Sequence, residues 1–106
     1  MTTLLAIYRR PDGGDEALAE FERRYRDEHL PLVADTPGLR STGVQRVATR
    51  LTGDDVVLVT AMIFDDRAAL DAGLASEAMR AAGRNLRDII PGDKVTLLIL
   101  ADDHPA

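Results

Sequence analysis

An α+β fold, a four-stranded antiparallel sheet carrying its helices on one face, is predicted by three features of the sequence. Short apolar runs bounded by turn residues alternate with amphipathic stretches in the order strand, helix, strand, strand, helix, strand. The six elements use up nearly all of the 106 residues, so one domain is expected over 1–101 with a loose polar tail at 102–106. Right-handed crossovers then place both helices on the same side of the sheet, the split βαβ or ferredoxin-like arrangement.

The first strand is read at Thr3–Tyr8, a run stopped by Arg9, Arg10, Pro11 and the Asp12-Gly13-Gly14 turn. Asp15 is the expected cap of the first helix, which continues to about Glu28 in good helix formers. At about 100° per residue, Leu18, Phe21, Tyr25, His29 and Leu32 share an arc of about 80°, a single stripe facing the core. Pro31 disfavours helical geometry at Leu30, so the helix is expected to end or kink beside His29. After the Thr36-Pro37-Gly38 turn, Leu39–Leu51 reads as the second strand, rich in β-branched residues. Thr52-Gly53-Asp54-Asp55 connects it as a hairpin to the third strand, Val56–Phe64. Asp65 or Asp66 caps the second helical region, Ser76 restarts it, and it runs to about Ile89 before Pro91-Gly92. Val95–Ala101 is the fourth strand.

The composition, 45% hydrophobic and 29% charged with a net charge of −5, is that of a globular protein. An acidic balance is unsuited to nucleic acid, which needs clustered positive charge. No apolar run approaches the roughly 20 residues of a membrane span, and no leader pattern opens the chain, so a cytoplasmic protein without a membrane partner is expected. With no Cys, packing alone must hold the core. The third and fourth strands are apolar in both registers, whereas a sheet with one wet face alternates apolar and polar. Each such side chain left in water forgoes about 1.5 to 3 kcal/mol. A homodimer with sheets packed face to face follows as the expected assembly, the alternative being cover from loops and the tail.

Two histidines exist, and His104 lies in the polar tail. His29 shares the helical stripe with Tyr25 one turn earlier, which aims both polar tips at the space between helix and sheet. A histidine there can exchange protons near pH 7 and a tyrosine hydroxyl can hold a substrate oxygen or an enolate. The competing reading is a core histidine satisfied by a backbone carbonyl. Tyr8, placed at the sheet's polar rim, Arg46, in register with Val44, and Phe64 are candidate substrate contacts, each with a plain packing or surface role as the alternative. Asp54-Asp55 and Asp65-Asp66 have turn and cap duties and no His or Cys beside them, so no metal is expected. Gly13-Gly14 precedes the acidic Asp15-Glu16, which would repel phosphate from the helix start, and no nucleotide cofactor is indicated.

Taken together, Leu4–Pro11 (LLAIYRRP), Phe21–Leu32 (FERRYRDEHLPL), Thr36–Arg40 (TPGLR) and the ending Gly92–Leu100 resemble the EthD-like family of dimeric α/β-barrel proteins. The most specific part is Tyr25-x-x-x-His29-x-Pro31-Leu32 followed by Pro37-Gly38-Leu39. The resemblance implies two ferredoxin-like subunits whose sheets form a barrel, with a small-molecule pocket in each. It also implies an acid/base role for His29 with Tyr25 as the aromatic residue one turn before it. Relatives in the wider fold include isomerases, polyketide cyclases, dehydratases and cofactor-free monooxygenases, many of the last with a pocket Trp that this chain lacks. The expectation is therefore a cofactor-free enzyme that isomerises, cyclises or dehydrates a small, apolar, oxygen-bearing lactone, enone or polyketide-like molecule. A non-catalytic ligand-binding or accessory dimer, or an oxidoreductase component, of an oxidative catabolic or biosynthetic pathway is the alternative.

Overall fold

The computed structural model describes residues 1–101; the tail expectation for 102–106, and His104 with it, lies outside the described residues. Strands β1 (Thr2–Arg9), β2 (Leu39–Arg46), β3 (Val56–Phe64) and β4 (Val95–Leu100) form one antiparallel sheet in the order β2-β3-β1-β4. Helices α1 (Gly14–Arg24), α2 (Leu30–Ala34), α3 (Arg67–Leu74) and α4 (Glu77–Ile89) supply the other layer. This is the predicted α+β ferredoxin-like arrangement.

Alternation along the central strands separates the two faces. Leu4, Ala6 and Tyr8 of β1 and Leu58, Thr60, Met62 and Phe64 of β3 are buried under the helices with Phe21, Tyr25, Val33, Leu70 and Ala82. Leu5 and Ile7, paired with Ala61 and Val59, and Leu98 and Leu100 of β4 belong to the opposite face, which no element of the described chain covers.

Several local expectations are corrected. The second strand ends at Arg46 rather than Leu51, because the segment after Val47 leaves the ladder and turns through Gly53 at φ +86°. Thr49 and Leu51 have strand propensity but no strand to pair with, and propensity without partners does not make a sheet. The cap of α1 is Gly13, at φ +112° with no side-chain bond, and Asp15 lies inside the first turn. The first helix, expected to end or kink beside His29, changes its winding there and continues. Tyr25–His29 form one π-helical turn, after which α2 continues through Pro31. Pro31 has no N–H for the Asp27 carbonyl and its ring would collide with that carbonyl, so a widened turn ahead of it lets the helix carry on. The fourth strand stops at Leu100, one residue early. Asp66 and Ser76 do cap their helices, accepting from the Ala69 and Met79 amides at 2.8 and 3.2 Å.

At Gly73, on the buried side of α3, a methyl group would sit 2.8 Å from Phe64 Cε2 and 3.1 Å from Thr36 Cγ2. Both neighbours are buried and have little room to withdraw. Gly73→Ala is accordingly expected to lower stability by about 1 to 3 kcal/mol through overpacking, against the usual helical gain from Ala; chemical denaturation measures it. A neutral or stabilising result would mean that this contact is not close-packed.

Candidate functional site

Tyr25 projects from the π turn into the layer between helices and sheet, where Tyr8 meets it from β1 and Thr60 from β3. Its hydroxyl donates to Tyr8 Oη at 3.0 Å and lies 2.6 Å from Thr60 Oγ1. All three side chains are buried. Phe21 completes an aromatic cluster, its ring centroid 5.6 Å from those of both tyrosines. Burial pushes the Tyr8 phenol far above its ordinary range, with Tyr25 adding to the effect. Tyr25 is also pushed up by burial, while its bonds to Thr60 and Tyr8 pull in the other direction. Both phenols therefore stay protonated at neutral pH and act as hydrogen-bonding groups, not as bases.

A cavity of about 280 Å³ opens beside this network. Tyr25, Leu30, Val44 and Leu58 form apolar and aromatic walls, and Glu22, Arg26 and Arg46 supply polar groups. It is near the lower end of the roughly 300–1,000 Å³ range of small-molecule sites. Arg46 pairs with Glu22, whose side chain is only 17% exposed, while that of Arg46 is 72% exposed. The alternation that put Arg46 on the same face as Val44 is thus the observed geometry.

The other residues singled out in the sequence fall elsewhere. Tyr8 is 1% exposed, not at a polar rim, because β4 and the helices cover the end of β1. Phe64 is wholly buried against Gly73 at the other end of the sheet, away from the cavity. His29 is 5% exposed and lines none of the cavities described. The π turn keeps His29 on the buried side of the helix with Tyr25. Its ring packs on Tyr25 with centroids 4.9 Å apart, and its polar neighbours are Asn85 and the Ala82 backbone of α4. Nδ1 is buried without a hydrogen-bond partner, as is Asn85 Oδ1. Asn85 donates its amide to Glu28 at 3.1 Å, and Glu28 also accepts from Arg24, so this polar group ties the π turn to α4.

Burial pulls the pKa of His29 below its ordinary 6.5, opposed by Asn85 and the Ala82 backbone. Well above pH 6.5 the ring is neutral in folded and unfolded chains alike. As pH falls below 6.5 the unfolded chain takes up the proton first, so His29 progressively costs stability until the folded-state pKa is passed. Subtracting the stability profile of His29→Gln from that of the wild type should reveal this loss between 6.5 and lower pH; a flat difference would contradict the buried, neutral assignment.

Thr60, Glu22 and Asn85 are the polar residues that the sequence reading passed over. Thr60 is the one hydroxyl in the nine-residue run of β3, and Glu22 falls about 40° from Leu18 on the helical wheel, beside the apolar stripe.

The EthD domain model matches residues 15–89 of the sequence. The chain belongs to the EthD family. A solved EthD (ethyl tert-butyl ether d) family protein from Bacillus halodurans C-125 is 27% identical, with a TM-score of 0.83 over 97% of this chain and 99% of that one. A dimeric ferredoxin-like protein of unknown function from Jannaschia sp. CCS1 is 19% identical, TM-score 0.69, over 96% of this chain and all of the other. Another dimeric protein of ferredoxin-like fold, from Bacteroides fragilis NCTC 9343, is 14% identical, TM-score 0.68, over 95% of both chains. No curated protein is similar enough to match. Among the described residues of this EthD-family chain no helix is long and apolar enough to cross a membrane.

Proposed function

We propose that this EthD-family protein is a cofactor-free enzyme that moves a proton on a small oxygen-bearing molecule, in an isomerisation, cyclisation or dehydration. The observation that carries the reading is Tyr25, which lines a mostly apolar cavity and whose hydroxyl is held by Tyr8 and Thr60 in a buried network. A hydroxyl has one proton to give. Tyr25 can turn it from Tyr8 to a substrate carbonyl while Thr60 donates to Tyr25 from behind, which strengthens the donor as negative charge develops on the substrate oxygen. Glu22 is the carboxylate that lines the same cavity, and we assign it the role of proton acceptor. His29, expected from the sequence to shuttle the proton, has its place behind Tyr25, where it supports the ring and the π turn. That burial also favours a second reading, an accessory ligand-binding protein in which His29 is only a polar fixture.

The reading includes a homodimer. Leu5, Ile7, Val59, Ala61, Ile63, Leu98 and Leu100 make the uncovered sheet face continuous in apolar surface, and two solved neighbours are described as dimeric.

Deuterium incorporation into the acidified C–H positions of small lactones, enones and β-dicarbonyl compounds, followed by NMR in D2O, tests the reaction class. Catalysed exchange in at least one class, slowed in Glu22→Gln, is expected. Absence of catalysed exchange across the panel would overturn the enzyme reading in favour of the accessory one.

A further inference from the structure

A second cavity, of about 220 Å³, adjoins the first, and the two share Glu22 and Arg46 as lining residues. Arg10 and Arg50 bring two more guanidinium groups to this outer cavity. Their surroundings differ. Arg10 is held by Asp55 at 2.7 Å and Arg46 by Glu22, whereas Arg50 makes no hydrogen bond or ion pair among the described residues. The inner cavity adds Arg26, held by Asp27 at 3.1 Å, so four guanidinium groups face three carboxylates around the joined cavities. In a chain of net charge −5 this is a local excess of one positive charge, and screening confines its reach to about 10 Å at 0.1 M salt.

We infer that the joined cavities take a small amphipathic monocarboxylate, its apolar body against Tyr25, Leu30 and Leu58 and its carboxylate on Arg50 and Arg46. The inference rests on the reading of the inner cavity as the substrate site and names the class of substrate. A guanidinium presents a planar fork that matches one carboxylate, and Arg46 keeps free N–H groups beyond those used by Glu22. A phosphate dianion suits the site less, because Glu22, Asp27 and Asp55 leave only one unit of positive charge uncompensated. A carboxylate drawn to Arg46 also competes with Glu22 for that guanidinium, which releases Glu22 to accept a proton when substrate is in place.

The test uses the full chain with 3-phenylpropanoate and its neutral counterpart 3-phenylpropan-1-ol, each titrated into isotopically labelled protein and followed by two-dimensional amide NMR. The acid is expected to shift amides both at Tyr25 and Leu58 and at 46–50, and to bind at least tenfold more tightly than the alcohol. Arg50→Gln, a change on an exposed loop, should remove that preference and leave alcohol binding as it was. Equal binding of acid and alcohol at Tyr25 and Leu58, unaltered by Arg50→Gln, would overturn the carboxylate inference and leave the inner cavity standing as the site. Shifts confined to 46–50 would show an adventitious surface ion only and overturn it as well. No binding of either compound would overturn both the inference and the reading on which it rests.

Discussion

Tyr25→Phe is expected to slow the catalysed proton exchange by a factor of about 10² to 10⁴ while the chain still folds. Tyr25 is buried, and its phenol is pushed up by desolvation, so what the variant loses is a neutral hydrogen-bond donor with a fixed direction. Removing it also leaves Tyr8 and Thr60 buried without their shared partner, which costs about 1 to 3 kcal/mol of stability. The two effects separate in measurement. Thr60→Val removes one bond to Tyr25 but no group from the cavity wall, so its stability cost should be similar and its effect on exchange smaller. Equal losses of exchange in both variants would mean that packing, not the Tyr25 proton, carries the rate. Full exchange in Tyr25→Phe would remove Tyr25 from the mechanism.

Ile63→Asp, on the uncovered sheet face, is expected to convert a dimer into a monomer or to prevent folding. Ile63 pairs with Thr3 of β1 and Ser41 of β2, with Ala61 and Leu5 as further neighbours on that face. Burying an unpaired carboxylate there costs several kcal/mol, more than a domain of this size can spare. Ile63→Thr is the gentler companion, polar but uncharged and β-branched, and should weaken association without abolishing the fold. Sedimentation velocity reads both. An unchanged sedimentation coefficient in Ile63→Asp, with the wild type monomeric, would contradict the paired sheets, because a monomer would gain solubility from the new charge at little cost.

The sheet was legible because burial imposes its period on the chain. Val56–Phe64 and the start of β4 at Val95 follow from apolar runs between turn residues, and the break at Ser76 follows from its capping hydroxyl. What misled was residue type read without a partner. Val47–Leu51 carries β-branched residues, but only the pairing of Val47 with Val57 continues beyond Arg46. The site shows the same division. Arg46 was legible from the alternation of β2, and Tyr25 from the helical stripe that runs through α1 up to the irregular turn. The burial of His29 beside Tyr25 was legible from the same stripe, whereas the π turn was not, because Pro31 signals an end or a kink without saying that the helix widens and continues. Thr60 is the single polar residue in an apolar strand, and the register sets it opposite Ala6, two residues from Tyr8, so that Tyr25 joins the two hydroxyls.

A crystal structure of the protein soaked with a saturating small lactone or phenolic ketone tests the central claim most directly. The account predicts a ligand oxygen within hydrogen-bond distance of the Tyr25 hydroxyl, in the cavity beside Glu22 and Leu58. A Tyr25 still bonded only to Tyr8 and Thr60, with the ligand bound elsewhere or the cavity empty, would contradict it.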